Sequence, residues 1–145
     1  MIRKHLQNEE GAVYPLAGAL ILVFLALAGL IIDAGFAMYQ YTKLTSATDS
    51  AAISTLDTYD RALWEEEGVI EIDQGRAYSM ASQYLNNNMD DAVIRNVQVN
   101  GTNITVNAEA TVPVFFMKIF GQQDFQIEAM ARASLDDSDA NGGDS

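Results

Sequence analysis

The sequence predicts an α+β protein. One N-terminal transmembrane helix continues as a long extracytoplasmic helix, which packs on a three-stranded antiparallel sheet. Three observations predict this. Residues 12–32, AVYPLAGALILVFLALAGLII, carry no charge. The next stretch, DAGFAMYQYTKLTSATDSAAISTL, keeps a helical pattern with no Pro and one early Gly. The last third alternates apolar and polar residues around an Asn-Gly pair. Four segments follow from these: a cytoplasmic lead (1–11), the transmembrane helix (12–32), an extracytoplasmic α+β domain (33–135) and an acidic flexible tail (136–145).

The lead is polar and holds Arg3, Lys4 and the only His, His5. The apolar run behind it is long enough to cross a bilayer, for which about 20 residues suffice. Pro15 falls near the start of the run, where a missing N–H costs a helix little. Gly18 and Gly29 are small residues of the kind that let helices approach closely in lipid. Arg3 and Lys4 outweigh Lys43 across the run, which orients the N-terminus toward the cytoplasm. A cleaved secretory signal, cut near Ala26-Leu27-Ala28, is the rival reading of the same run.

Asp33 marks the exit from the hydrocarbon. It reads either as an interfacial carboxylate in water or as a polar contact to a neighbouring subunit's helix end, because acids at membrane depth tend to be paired. Beyond it, Ala37, Tyr41, Leu44, Thr48, Ala51, Thr55 and Thr58 step by four and three. That spacing puts a small-residue stripe on one helix face, suited to covering a sheet or to packing against an identical helix. A helix from Ala12 to about Leu56 spans roughly 65–70 Å at 1.5 Å per residue.

Residues 59–73 read as a connector. Its acidic run, Glu65 to Glu67, is a solvated face, and Trp64 packs on the domain or sits near lipid headgroups. Asp73 is an N-cap for a helix over QGRAYSMASQYLNNN, with Ala77, Met80, Ala81, Tyr84 and Leu85 on one face. Asn100-Gly101 is a hairpin-turn pair, since both residues tolerate positive φ. After it Ile104, Val106, Ala108, Ala110 and Val112 alternate with polar residues, giving one buried and one wet face. Pro113 ends the strand or sits on an edge. PVFFMKIFG forms a short helical turn or apolar loop closed by Gly121. A last strand alternates from Phe125 to Leu135.

Composition excludes several functions. The net charge is −12, carried almost wholly after the apolar run, and such a surface repels nucleic acid. There is no Cys, so disulfides, zinc-thiolate sites and iron–sulfur clusters are ruled out. With His5 in the lead, the outer domain has no histidine for acid–base chemistry. No phosphate loop, nucleophile elbow or metal-ligand spacing occurs, so no enzyme and no cofactor are expected. One segment has cation chemistry: Asp137, Asp139 and Asn141, followed by Gly142, match the opening of a calcium loop. The bidentate acid at its twelfth position is lacking, so calcium competes there with a plain acidic tail.

Residues 11–53 resemble the N-terminal region of TadG-like and TadE-like proteins of bacterial tight-adherence (Tad, Flp) pilus systems. The matching pieces are NEEGAVYPLAGALIL, AGLIIDAGFAMYQ and KLTSATDSAAI. The family's V-D-x-G-like exit falls on Ile32, Asp33 and Gly35. Its Leu-x-x-Ala-x-Asp-x-Ala-Ala segment falls on Leu44, Ala47, Asp49, Ala51 and Ala52. ITVNAEATVPVFFMKIFGQQDFQIEAMARASL also looks like the family's distal strands.

The resemblance implies a pilin-like fold in the bacterial inner membrane, with the C-terminal domain periplasmic or extracellular. It implies a non-enzymatic role in pilus assembly and cell adhesion. The expected partners are the lipid bilayer, other membrane or pilus proteins, and in a homo-oligomer a second copy. The helix-packing residues are then Ala37, Tyr41, Leu44, Thr48 and Ala51. Prepilins of these systems are cut after a Gly and carry Glu at the fifth mature position. Cleavage between Gly11 and Ala12 puts Leu16 there, so the chain is closer to the unprocessed TadG branch. A processed pilin, or an accessory single-pass subunit of another membrane complex, is the alternative.

Overall fold

A computed structural model describes residues 9–135. Helix α1 runs unbroken from Glu9 to Ser54. Because it begins ahead of the apolar run, Pro15 lies in its second turn and cannot bond back to the Gly11 carbonyl. A 3-10 turn, Thr55–Thr58, ends the helix. Helices α2 (Arg61–Glu67) and α3 (Gln74–Asn88) follow, then strands β1 (Ala92–Asn100), β2 (Asn103–Val112) and β3 (Phe125–Ser134). A second 3-10 turn, Met117–Phe120, lies between β2 and β3. The sheet is antiparallel in the order β1-β2-β3. This is the expected α+β arrangement of a long apolar helix and a three-stranded sheet.

The described residues form two compact units. One holds residues 9–37 with Val114–Gln123; the other holds Met38–Pro113 with residues 124–135.

In the larger unit one apolar cluster joins Leu44, Ala47, Ala51 and Ala52 of α1 to Ala77, Ala81 and Leu85 of α3. The inner sheet face completes it through Val97, Ile104, Val106, Ala108, Ala110, Ala129 and Ala131. Alanine recurs on every surface of this cluster, and the helix that comes closest to the sheet is α3, against β1. Leu44, Leu85, Ile104 and Val106 supply the volume. Thr48, Ser54, Thr55 and Thr58 are buried among them. Their hydroxyls donate to the carbonyls of Leu44, Ala51, Ala52 and Thr55 at 2.6–2.7 Å. These local bonds let a polar stripe enter the core at little cost. Among the described residues no buried side-chain polar atom lacks a partner.

Three local features differ from the sequence expectation. The connector contains a helix: Asp60 caps α2 by accepting from the Ala62 and Leu63 N–H groups, and Gly68 ends it at φ 68°. A bridge between Tyr59 and Ile72, with Asp60 N–H donating to the Glu71 carbonyl at 3.0 Å, closes the neck of this excursion. The hairpin turn is displaced by one residue. Asn100 is the last residue of β1 and pairs with Asn103, so the loop is Gly101-Thr102. Only Gly101 takes positive φ (64°), the signature of a II′ turn with Gly first.

The third feature is a bulge. The β1–β2 register passes from Ile94↔Ala108 to Asn96↔Asn107 and leaves Arg95 over. Ala92 is buried and Ile94 half-buried before the bulge; Val97 is buried and Val99 half-buried after it. The inward positions therefore change parity at Arg95, whose Nε donates to Glu109 Oε2 at 2.6 Å.

Asp73 caps α3 as expected, accepting from the Arg76 N–H at 2.7 Å. Ala77, Ala81 and Leu85 are buried on that helix, Met80 is half-buried and Tyr84 is exposed.

Candidate functional site

The most unusual side-chain environment in the smaller unit is that of Asp33. Residues before it on α1 are apolar and outward-facing from Val13 to Ile32, except Gly29. Asp33 itself is only 3% exposed. Its Oδ1 accepts from the Phe115 N–H at 3.0 Å. Its Oδ2 accepts from Phe116 N–H at 2.9 Å and Met117 N–H at 2.7 Å. One carboxylate thus takes three successive amides at the start of the 3-10 turn. Those donors have no intrahelical partner at a helix start, and a negative charge suits them.

Both readings of Asp33 made from the sequence need correcting. It is not an interfacial carboxylate in water. It does contact a helical end, but that end belongs to its own chain, 82 to 84 residues onward.

Apolar contacts complete the arrangement. Phe36 and Phe115 meet edge to face, with centroids 5.4 Å apart and planes at 72°. Phe116 lies over Gly29. A Cβ built on Gly29 would stand 2.6 Å from the Phe116 ring, closer than any side chain allows. The expectation that Gly29 permits close approach therefore has a partner, and it is an aromatic ring of the same chain. Gly18 has nothing within 4 Å. Gly29, Asp33 and Phe36 fall at i, i+4 and i+7, on one stripe of the helix.

The turn is closed at its other end by Gly121 at φ 82°, whose N–H donates to the Lys118 carbonyl at 3.0 Å. A groove of about 450 Å³ lies beside it. Val23, Leu27 and Leu30 form one wall, and Phe116, Met117 and Phe120 the other.

The proposed helix-packing residues separate. Leu44, Thr48 and Ala51 are buried in their own chain's core. Ala37 is half-buried, and Tyr41 is 51% exposed because it stands one turn ahead of that core. The outward side of the same stretch carries Met38, Tyr39 and Ile53. Gly11 and Ala12, the candidate processing site, lie inside α1. Asp137, Asp139 and Asn141 lie outside the described residues, as does the acidic tail. Among the described residues no group of three or more His, Cys, Asp or Glu side chains could hold a metal ion.

The arrangement brings together one carboxylate, three backbone amides and aromatic faces. Sequence reasoning singled out Asp33 and Gly29 but not their partners. The pattern FFM before a Gly carries no signal that names a carboxylate 82 residues earlier.

One helix of the described residues, the N-terminal one, is long and apolar enough to cross a membrane by length and composition. Searches of curated proteins and of solved structures each found no match. Residues 11–55, which carry Gly29, Asp33, Phe36 and the buried face through Thr55, match the Flp pilus-assembly TadE/G-like family.

Proposed function

We propose that this chain is a membrane-anchored, non-enzymatic component of a Tad-type pilus that works by helix packing and protein–protein contacts. The observation that carries the proposal is the family match over residues 11–55. The apolar run of α1 supports the anchoring part. It keeps every large side chain from Val13 to Ile32 outward, an unfavourable arrangement in water and the normal one in lipid. The outer unit would then face the periplasm or the exterior, following the basic lead. Because Leu44, Thr48 and Ala51 are consumed by the chain's own core, pilus partners are met through the outward side of α1, at Met38, Tyr39 and Ile53, or through the sheet.

The test combines topology with piliation. Expected are recovery in the inner-membrane fraction with release only by detergent, and digestion of residues 38–135 by protease in spheroplasts but not in intact cells. Deleting the gene is expected to abolish surface Flp pili. Release by salt or alkaline wash, or unchanged piliation, overturns the proposal. Intact mass decides the related question at Gly11: loss of the first 11 residues would make the chain a processed pilin.

A further inference from the structure

The turn between β2 and β3 has the wrong surface for water. Ile119 is 78% and Phe120 74% exposed, and Phe115 and Phe116 are exposed beside them. We propose that residues 114–121 form a second membrane-contacting element, immersed beside α1 in the same leaflet, with a phospholipid acyl chain filling the groove between them. This rests on the anchoring reading above and extends it to a segment that lies 82 residues further along the chain.

Three observations point to lipid. The first is depth. Val23, Leu27 and Leu30 precede Asp33 by ten, six and three residues, which places them about 15, 9 and 4.5 Å deeper along the helix at 1.5 Å per residue. Phe116, Met117 and Phe120 form the opposite wall of the same groove. Whatever solvates Val23 and Leu27 on this side of α1 also solvates Phe120.

The second is the backbone. Non-helical chain is tolerated at membrane depth only when its polar groups are satisfied within the protein. Here Phe115, Phe116 and Met117 donate to Asp33. Ile119, Gly121 and Gln122 donate to the carbonyls of Phe116, Lys118 and Met117. Six N–H groups of residues 115–122 are thus paired within the protein.

The third is composition. Phe115, Phe116, Met117, Ile119 and Phe120 surround a single charged residue, Lys118. Its long stem can carry the ammonium to headgroup level while the rings stay below. Asp33 then has a reason to be buried. It draws three amides out of lipid and keeps its own charge covered by them.

Fluorescence quenching in proteoliposomes of the full chain tests this. Trp64 is the only tryptophan and is first replaced, Trp64→Phe. In that background Phe120→Trp reports on the turn, and Leu22→Trp reports on the span. Both side chains are mostly exposed, which leaves room for the larger ring. The expected result is blue-shifted emission for both, with strong quenching of both by brominated acyl chains.

Quenching at Leu22→Trp without quenching at Phe120→Trp overturns the turn proposal and leaves the anchor standing. Blue-shifted emission at Phe120→Trp that lipid bromine does not reach would show that a protein surface covers the turn, and overturns it too. If neither site is quenched, the anchor itself is refuted.

Discussion

A single helix, α1, is built to two opposite rules. From Val13 to Ile32 it turns large apolar side chains outward and none of them is buried. From Leu44 to Ser54 it turns mostly Ala, Thr and Ser inward and buries them. Composition alone would rank the first stretch as core and the second as surface. The environment reverses the order. Under the anchoring proposed above, large side chains serve where the surrounding medium is apolar and shapeless. Small ones serve where the helix is enclosed by its own chain on a fixed geometry. The two stretches also handle polar groups differently. The outer stretch buries hydroxyls by bonding each to a carbonyl three or four residues back. At the end of the inner stretch, Asp33 is buried by amides from a distant turn.

The sharpest way to break this comparison is to shorten one Leu in each stretch. Leu44→Ala removes a fully buried side chain and is expected to destabilise the larger unit by about 2–5 kcal/mol. Leu20→Ala, on the exposed face, should leave its unfolding transition in detergent unchanged. Equal losses would show that the two stretches follow one rule.

An effect of comparable size, confined to the smaller unit, is expected at Asp33. Asp33→Ala leaves three amides without their acceptor, at about 1–3 kcal/mol for each donor that water does not reach. The predicted readout is local: amide exchange speeds up at Phe115, Phe116 and Met117, while exchange in β2 and β3 stays slow. Unaltered protection at Phe115–Met117 would mean that the carboxylate does not hold the turn.

The smallest expected effect is at Thr48. Thr48→Val keeps the shape and removes one hydroxyl bond, so stability should stay within about 1 kcal/mol of the parent. A larger loss in thermal unfolding would show that the hydroxyl bonds hold the stripe together and do more than make it tolerable.

The sequence carried the elements whose signal is local. Charge-free length marks the inner stretch of α1. Asp73 marks the start of α3, and alternation marks β2 and β3. The features that escaped depend on distant or subtle partners. Arg95 became a bulge because the inward positions of β1 change parity there, and its partner Glu109 lies on the next strand. The turn moved one residue because Gly101 alone takes positive φ and Asn100 stays in the ladder. Asp33 was visible as an anomaly, a carboxylate at the edge of a greasy run. What it binds was not, because three backbone amides leave no mark on residue identity.

That separation along the chain has a consequence in time. The carboxylate of Asp33 is made early, while the amides that cover it belong to residues 115–117 of 145. During synthesis that carboxylate therefore stands without its amide partners until residues 115–117 have been made. Maturation of the junction is tied to completion of the β2–β3 connection, so a truncated product lacking that connection keeps an unshielded acid where the finished protein has none.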